Sequence, residues 1–308
     1  MKTIGNVKII GVDAGYGNMK TANFCFPTGL AVFDSEPIFN SGMLVYNDRY
    51  YLIGEGHRRF TPDKTMDEDY YVLTLAAIAL ELRKENLTEA DVFVAAGLPL
   101  TWVSGQKAAY REYLLQQKDA TFTFMQEAYH IHIVGAEVFP QGFSAIAENA
   151  ADLKGITLLC DIGNGTMNLL YLQNGFADPQ RMYTEKLGTR QCVDAVKEAF
   201  MNRYQIDIDE SIIQDFLIHG EADISKEYLR VMKNAANEYV NAIFHRLAAH
   251  DYNPALMRLY VVGGGGCLIR NFGKVDEKRM TINTDICATA KGYEYLAERI
   301  LARGGEKK

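Results

Sequence analysis

Apolar positions in this chain gather into short runs rich in Val, Ile and Leu: residues 7–12 (VKIIGV), 131–134 (IHIV), 156–160 (ITLLC), 169–172 (LLYL) and 259–262 (LYVV). Such runs, bounded by Gly, Asp and Asn, predict strands, and a further arm is expected at 21–26 (TANFCF). The stretches 70–86 and 227–250 read as helices, so strands alternate with helices and the expected class is α/β. Between residues 43 and 53, two short arms around Asn47-Asp48 predict a hairpin.

One polar pattern interrupts these runs twice. Asp-x-Gly-x-Gly-x-Met-x stands at 13–20 (Asp13, Gly15, Gly17, Asn18, Met19, Lys20). It stands again at 161–168 (Asp161, Gly163, Asn164, Gly165, Thr166, Met167, Asn168), about half the chain away. Each copy comes after an apolar run and precedes another, which predicts strand, tight turn, strand. Glycines at such a tip allow backbone N–H groups to approach an anion without a Cβ in the way. A dinucleotide fingerprint or a P-loop would lead from strand into helix and end in a third Gly or in Gly-Lys-Ser/Thr, and neither ending is present. One Asp-Gly hairpin alone is a common turn. Two in equivalent places suggest two related halves that hold a phosphate and a metal ion.

Three further segments accompany the pair. The strand 259–262 ends in Gly263, Gly264, Gly265 and Gly266, bare backbone against which a flat ring can lie before a helix begins near Leu268. Residues 137–142 set Glu137 and Gln141 close together between the strand at 131–134 and a helix expected from Phe143. A helix rich in small residues is expected from Ala288, crossing back to the first half.

In this order the segments resemble the five motifs of the actin superfamily of ATPases: phosphate-1 at 13–20, connect-1 at 137–142, phosphate-2 at 161–168, adenosine at 261–266 and connect-2 at 288–292. Asp13-x-Gly15-x-x-Asn18-x-Lys20 and Glu137-x-x-Pro140-x-Gly142 are most similar to the plasmid-segregating actins of the ParM type, and the turn at Leu187-Gly188-Thr189 resembles one that approaches the nucleotide there. Asn168 departs from the Asp often found in relatives, which leaves the magnesium side of the second motif resting on Asp161.

The resemblance implies an actin-like fold of two related lobes with ATP and Mg2+ in the cleft between them. The first lobe is expected over 1–143, completed by a helix at 289–308 and carrying a small inserted subdomain at about 25–69; the second is expected over 144–288. The motifs also imply roles. Asp13 and Asp161 hold magnesium, the tip amides with Asn18 and Lys20 hold phosphates, Glu137 orients the attacking water with help from Gln141, and residues 263–266 carry the adenosine. The implied function is a filament-forming ATPase in plasmid DNA segregation, with itself and a DNA-bound adaptor protein as partners. The alternatives are a non-polymerising ATPase or a small-molecule kinase of the superfamily, for which no further catalytic Asp stands out. A DnaK-type chaperone would need a substrate-binding domain after the ATPase.

Composition narrows partners and compartment. At 308 residues and 48% hydrophobic content the chain can bury the cores of two lobes. Its net charge of −7, with basic stretches such as 57–59 and 274–279 short or mixed with acids, argues against direct contact with DNA. Five cysteines without a Cys-x-x-Cys pair read as buried free thiols of a reducing cytoplasm. No apolar run approaches the ~18 residues of a membrane span, and residues 1–6 lack a signal-peptide core. A cytoplasmic protein without membrane contact is therefore expected. His130 and His132, two apart on one expected strand, read as ordinary strand residues.

Overall fold

A computed structural model describes residues 1–38, 41–55, 63–66 and 68–305; the basic stretch 57–59 and the last three residues lie outside them. The chain divides into two compact units, Met1–Glu148 with Cys287–Lys308, and Asn149–Ile286. The first division falls beyond 143 because the 3-10 turn Phe143–Ile146 packs on the C-terminal helix Ala288–Gly305. A Cβ on Gly292 of that helix would overlap the Ser144 carbonyl, so only glycine permits the approach.

The first unit contains β1 (Lys2–Ile4), β2 (Val7–Ala14), β3 (Asn18–Lys20), β4 (Cys25–Pro27), β5 (Leu30–Phe33), β6 (Met43–Tyr46), β7 (Arg49–Ile53), α1 (Asp69–Lys84), β8 (Glu89–Leu98), α2 (Val103–Leu114), β9 (Asp119–Phe124) and β10 (Glu127–Pro140). Among the described residues they form one sheet in the order β4-β3-β2-β8-β10-β9-β6-β7-β5, with β1 beside β2. The β2–β8 and β8–β10 pairings are parallel. The hairpin at 43–53 is β6–β7, turned through left-handed Asn47 and Asp48. The helix expected at 70–86 is α1, buried along nearly its whole length, as a helix apolar on all sides must be.

Three expectations are corrected by the fold. The arm expected at 21–26 is a turn between β3 and β4 that becomes strand only at Cys25, because the Thr21 hydroxyl accepts from the amides of Asn23 and Phe24. The strand at 131–134 runs on to Pro140, since β8 supplies pairing partners as far as Leu98. Beyond Gly142 the chain forms a 3-10 turn from Phe143 and not an α-helix.

The C-terminal helix completes this unit by lying on β2. Between Ile9, the last β2 residue paired with β1, and Asp13, the first paired with β3, the strand has no strand partner on that side among the described residues. There the Gly11 N–H donates to Glu294 Oε1 of the helix at 3.1 Å, and a Cβ at Gly11 would overlap the Ala290 carbonyl oxygen. Burial pushes the Glu294 carboxyl up to about 7, opposed by the Met1 ammonium 3.7 Å away.

The second unit contains β11 (Ile156–Ile162), β12 (Met167–Gln173), β13 (Phe176–Glu185), α3 (Thr189–Tyr204), α4 (Glu210–His219), α5 (Lys226–Ala249), β14 (Arg258–Val262), α6 (Gly266–Phe272) and β15 (Met280–Ile282). Its sheet runs β13-β12-β11-β14-β15, antiparallel across the hairpin β11–β12 and parallel from β11 to β14. The first unit has the same local plan in β3-β2-β8, a hairpin strand with its antiparallel arm on one side and a parallel strand on the other. The helix expected at 227–250 is α5, started by the Ser225 hydroxyl accepting from the Tyr228 amide. It buries Met232, Ala235, Ala236, Val240, Ile243 and Leu247, a stripe at helical spacing.

Candidate functional site

Each copy of the repeated pattern is a hairpin tip anchored by its methionine. Met19 is fully buried in the first core and Met167 in the second, so this position serves packing while the glycines shape the turn.

At the first tip the Gly15 amide donates to the carbonyls of Asp13 (3.0 Å) and Asn18 (3.1 Å), and a Cβ at Gly15 would stand 2.7 Å from the Asn18 oxygen, so the turn requires glycine. The tip carbonyls are held from outside. Thr28 Oγ1 donates to the Gly15 oxygen at 2.7 Å and the Thr28 amide to the Gly17 oxygen at 3.0 Å. Asp13, 5% exposed, has Oδ2 at 2.8 Å from Lys20 Nζ and Oδ1 at 3.0 Å from Gln141 Nε2. Gln141 therefore joins the first hairpin. Glu137 sits on β10 opposite Ala95, which pairs with Gly11, and its carboxylate is held by Lys107 Nζ at 2.7 Å.

Sequence reading missed Lys64. It is 2% exposed, and its ammonium donates to the Ala14 carbonyl at 2.6 Å while lying 5.7 Å from the ring centres of Tyr70 and Tyr110. Burial lowers it to about 8, with Asp13 acting in the opposite direction. A lone lysine in a polar stretch, far in sequence from either motif, carries no signal of this placement.

The second tip has the same arrangement built from different parts. The Gly163 amide closes the turn onto the Thr166 oxygen at 2.8 Å. The carbonyls of Gly163, Asn164 and Gly165 accept from the Thr189 amide (3.0 Å), the Arg190 amide (2.9 Å) and Gln191 Nε2 (3.1 Å). The first turn of α3 thus gives its otherwise unpartnered amides to the tip. Gln191 also accepts from the Gly188 amide at 2.8 Å, and Tyr239 donates to the Gly188 carbonyl at 2.7 Å, so the turn at 187–189 is a brace for this hairpin. Among the described residues nothing accepts from the Asn164 or Gly165 amide. Asn168 pairs across the hairpin with Asp161 and accepts from the Thr184 hydroxyl at 2.9 Å.

The glycine run joins the second hairpin as well. Gly263, at φ 84°, packs against Asp161: a Cβ there would stand 2.6 Å from Asp161 Oδ1 and 2.6 Å from the Ile162 oxygen. Gly265 lies against Ile162 and Gly266 against Asn283, and α6 begins at Gly266, two residues before the expected start. Only Gly264 of the four has nothing near its Cβ direction, so the bare surface is one residue wide.

No group of three or more His, Cys, Asp or Glu among the described residues is arranged to hold a metal by itself. Each hairpin begins with one carboxylate, Asp13 or Asp161, and magnesium is commonly held through one or two carboxylates, phosphates and retained water. Because both Asp13 oxygens already accept hydrogen bonds, Asp13 fits contact through water better than direct coordination. The expected strand histidines are cross-strand partners: His130 meets Thr121 at 2.9 Å and His132 meets Asp119 at 2.6 Å. Of the five free thiols three are buried, while Cys25 is exposed and Cys267 half-buried, which corrects the reading of all five as core. No described helix is long and apolar enough to cross a membrane.

Residues 11–143 match the family described as actin like proteins N terminal domain. No curated protein matches the sequence. Among solved structures, the apo psk41 ParM protein superposes with a TM-score of 0.75 at 18% identity, over 97% of this chain and 99% of that one. Bacillus thuringiensis ParM with ATP gives 0.70 at 14% identity over 97% and 100%. The Alp12 filament structure gives 0.70 at 16% identity over 96% and 100%. The chain has the actin-like fold, similar to the ParM-type members of that superfamily along the length of both units.

Proposed function

We propose that this protein is a nucleotide-dependent, filament-forming ATPase that segregates plasmid DNA through a DNA-bound adaptor. The observation that supports it most is the pair of hairpin tips whose carbonyl oxygens are tied down by neighbouring donors, at Ala14, Gly15 and Gly17 and at Gly163, Asn164 and Gly165. Tips whose carbonyls are tied back in this way turn their amides toward a ligand, which suits an anion and not a cation. The similar solved structures include one with ATP and one filament, which supports nucleotide binding and self-association here.

In this reading the amides of each tip bind phosphate oxygens, with Asn18 and Lys20 adding donors where charge develops during phosphoryl transfer. Asp13 and Asp161 hold Mg2+, which supplies charge neutralisation on the phosphates. Gly264 and its neighbours, beside Asp161, take the adenosine. Glu137 accepts the proton of the attacking water and Gln141 aligns it, while Lys107 fixes the Glu137 carboxylate. The net charge of −7 leaves DNA contact to the adaptor.

Sedimentation with Mg-ATP, Mg-ADP or no nucleotide, run beside phosphate release, tests the reading. Pelleting with Mg-ATP that reverses as phosphate appears is expected. A protein that hydrolyses ATP and never pellets would leave the non-polymerising ATPase; one that binds no nucleotide would end the proposal.

A further inference from the structure

We propose that Lys64 is a positioning residue for nucleotide phosphates, fixing the Ala14 carbonyl so that the first hairpin turns its amides outward. The proposal rests on the reading of that hairpin as a phosphate site.

An ammonium buried to 2% exposure loses most of its hydration, and one carbonyl and two ring faces replace only part of it. Among the described residues no carboxylate pairs with it: the nearby Asp13 gives its two oxygens to Lys20 and Gln141. An apolar side chain of the same length between Tyr70 and Tyr110 would avoid that cost. Packing alone therefore gives no reason for a lysine at this position.

Charge supplies one. Lys64 sets a buried ammonium at the base of the tip beside the Lys20–Asp13 pair, where burial weakens the screening of its charge. A polyphosphate is the anion that would neutralise it. The second hairpin makes the contrast, because its Gly165 carbonyl is held by the neutral Gln191 amide. The two tips thus share a clamped geometry, and the first adds a fixed cation.

The test measures thermal shift and direct titration of the whole chain with adenosine, Mg-ADP and Mg-ATP. Lys64→Met removes both charge and donor; Lys64→Gln keeps a donor and removes the charge; Lys233→Met, at an exposed pair with Glu221, is the control. Without nucleotide, Lys64→Met should melt at or above the wild-type temperature, because a buried cation is replaced by an apolar chain. Its ATP affinity should fall about tenfold or more, ADP less and adenosine within about twofold, since charge-assisted contacts are the ones removed. Lys64→Gln should fall between. ATP affinity of Lys64→Met within twofold of wild type, or an equal loss for adenosine, would overturn the proposal and leave the phosphate-site reading standing. Failure of both variants to fold would make Lys64 a structural residue and overturn it too. A wild-type protein without any nucleotide response would remove the reading itself.

Discussion

Gly188→Ala is the sharpest probe of how the second hairpin is held. Gly188 has φ −99° and ψ −175°, extended backbone that alanine adopts without strain, so any cost comes from space alone. A Cβ there would overlap the Asn164 oxygen and lie 2.5 Å from the Asn164 carbonyl carbon and 2.7 Å from that of Gly165. Relaxed carbon contacts begin at about 3.5 Å, so the tip and the start of α3 must part by roughly 1 Å. That parting strains the Thr189, Arg190 and Gln191 bonds to the tip carbonyls. Overpacking costs about 1–3 kcal/mol and one lost hydrogen bond about 1 kcal/mol, together about 2–4 kcal/mol. Urea unfolding monitored by circular dichroism measures it, with Gly165→Ala as the partner variant. A Cβ at Gly165 meets nothing within 4 Å, so Gly165→Ala should unfold like wild type yet lose its thermal response to Mg-ATP if the tip takes phosphate. Gly188→Ala unfolding within about 0.5 kcal/mol of wild type, the range of an unremarkable surface change, would refute the bracing argument.

Further outcomes are expected. Asp161→Ala should weaken Mg-ATP binding in calorimetry far more than Glu277→Ala at an exposed position, and equal affinities would remove Asp161 from the magnesium assignment. Glu137→Ala should bind ATP normally while hydrolysis falls roughly 10²–10⁴-fold, the usual weight of a positioned base, and its filaments should outlast wild-type ones; phosphate release and light scattering recorded together would expose a wild-type rate or a wild-type disassembly schedule. Glu294, raised from 4.5 to about 7, favours the folded state most below pH 4.5 and loses that contribution as pH rises toward 7. The loss is on the order of 3 kcal/mol, from 1.36 kcal/mol per pKa unit. Glu294→Gln keeps an acceptor for the Gly11 amide, so the stability difference between the two proteins should change with pH between 4 and 8, and a flat difference would count against the burial argument.

Elements whose signals are local were legible in the residues alone. Alternation around Asn47-Asp48 produced the β6–β7 hairpin, and the all-round apolar stretch at 70–86 produced the buried α1. The repeated Asp-x-Gly-x-Gly-x-Met marked both tips because a turn that closes on its own backbone needs glycine wherever a Cβ would strike a carbonyl, as at Gly15. The break between β3 and β4 was also written locally, in the Thr21 hydroxyl, although apolar content obscured it. Which distant groups complete each tip depends on long-range packing. Lys64 reaches the Ala14 carbonyl, Gln141 reaches Asp13, and α3 braces the second hairpin across a clearance that Gly188 alone permits. These partners satisfy carbonyls and carboxylates that any of several donors could serve chemically, so residue type and spacing do not single them out. The packing of elements that meet only after folding does, and the same packing takes Gly263, Gly265 and Gly266 for close approach and leaves Gly264 as the open backbone.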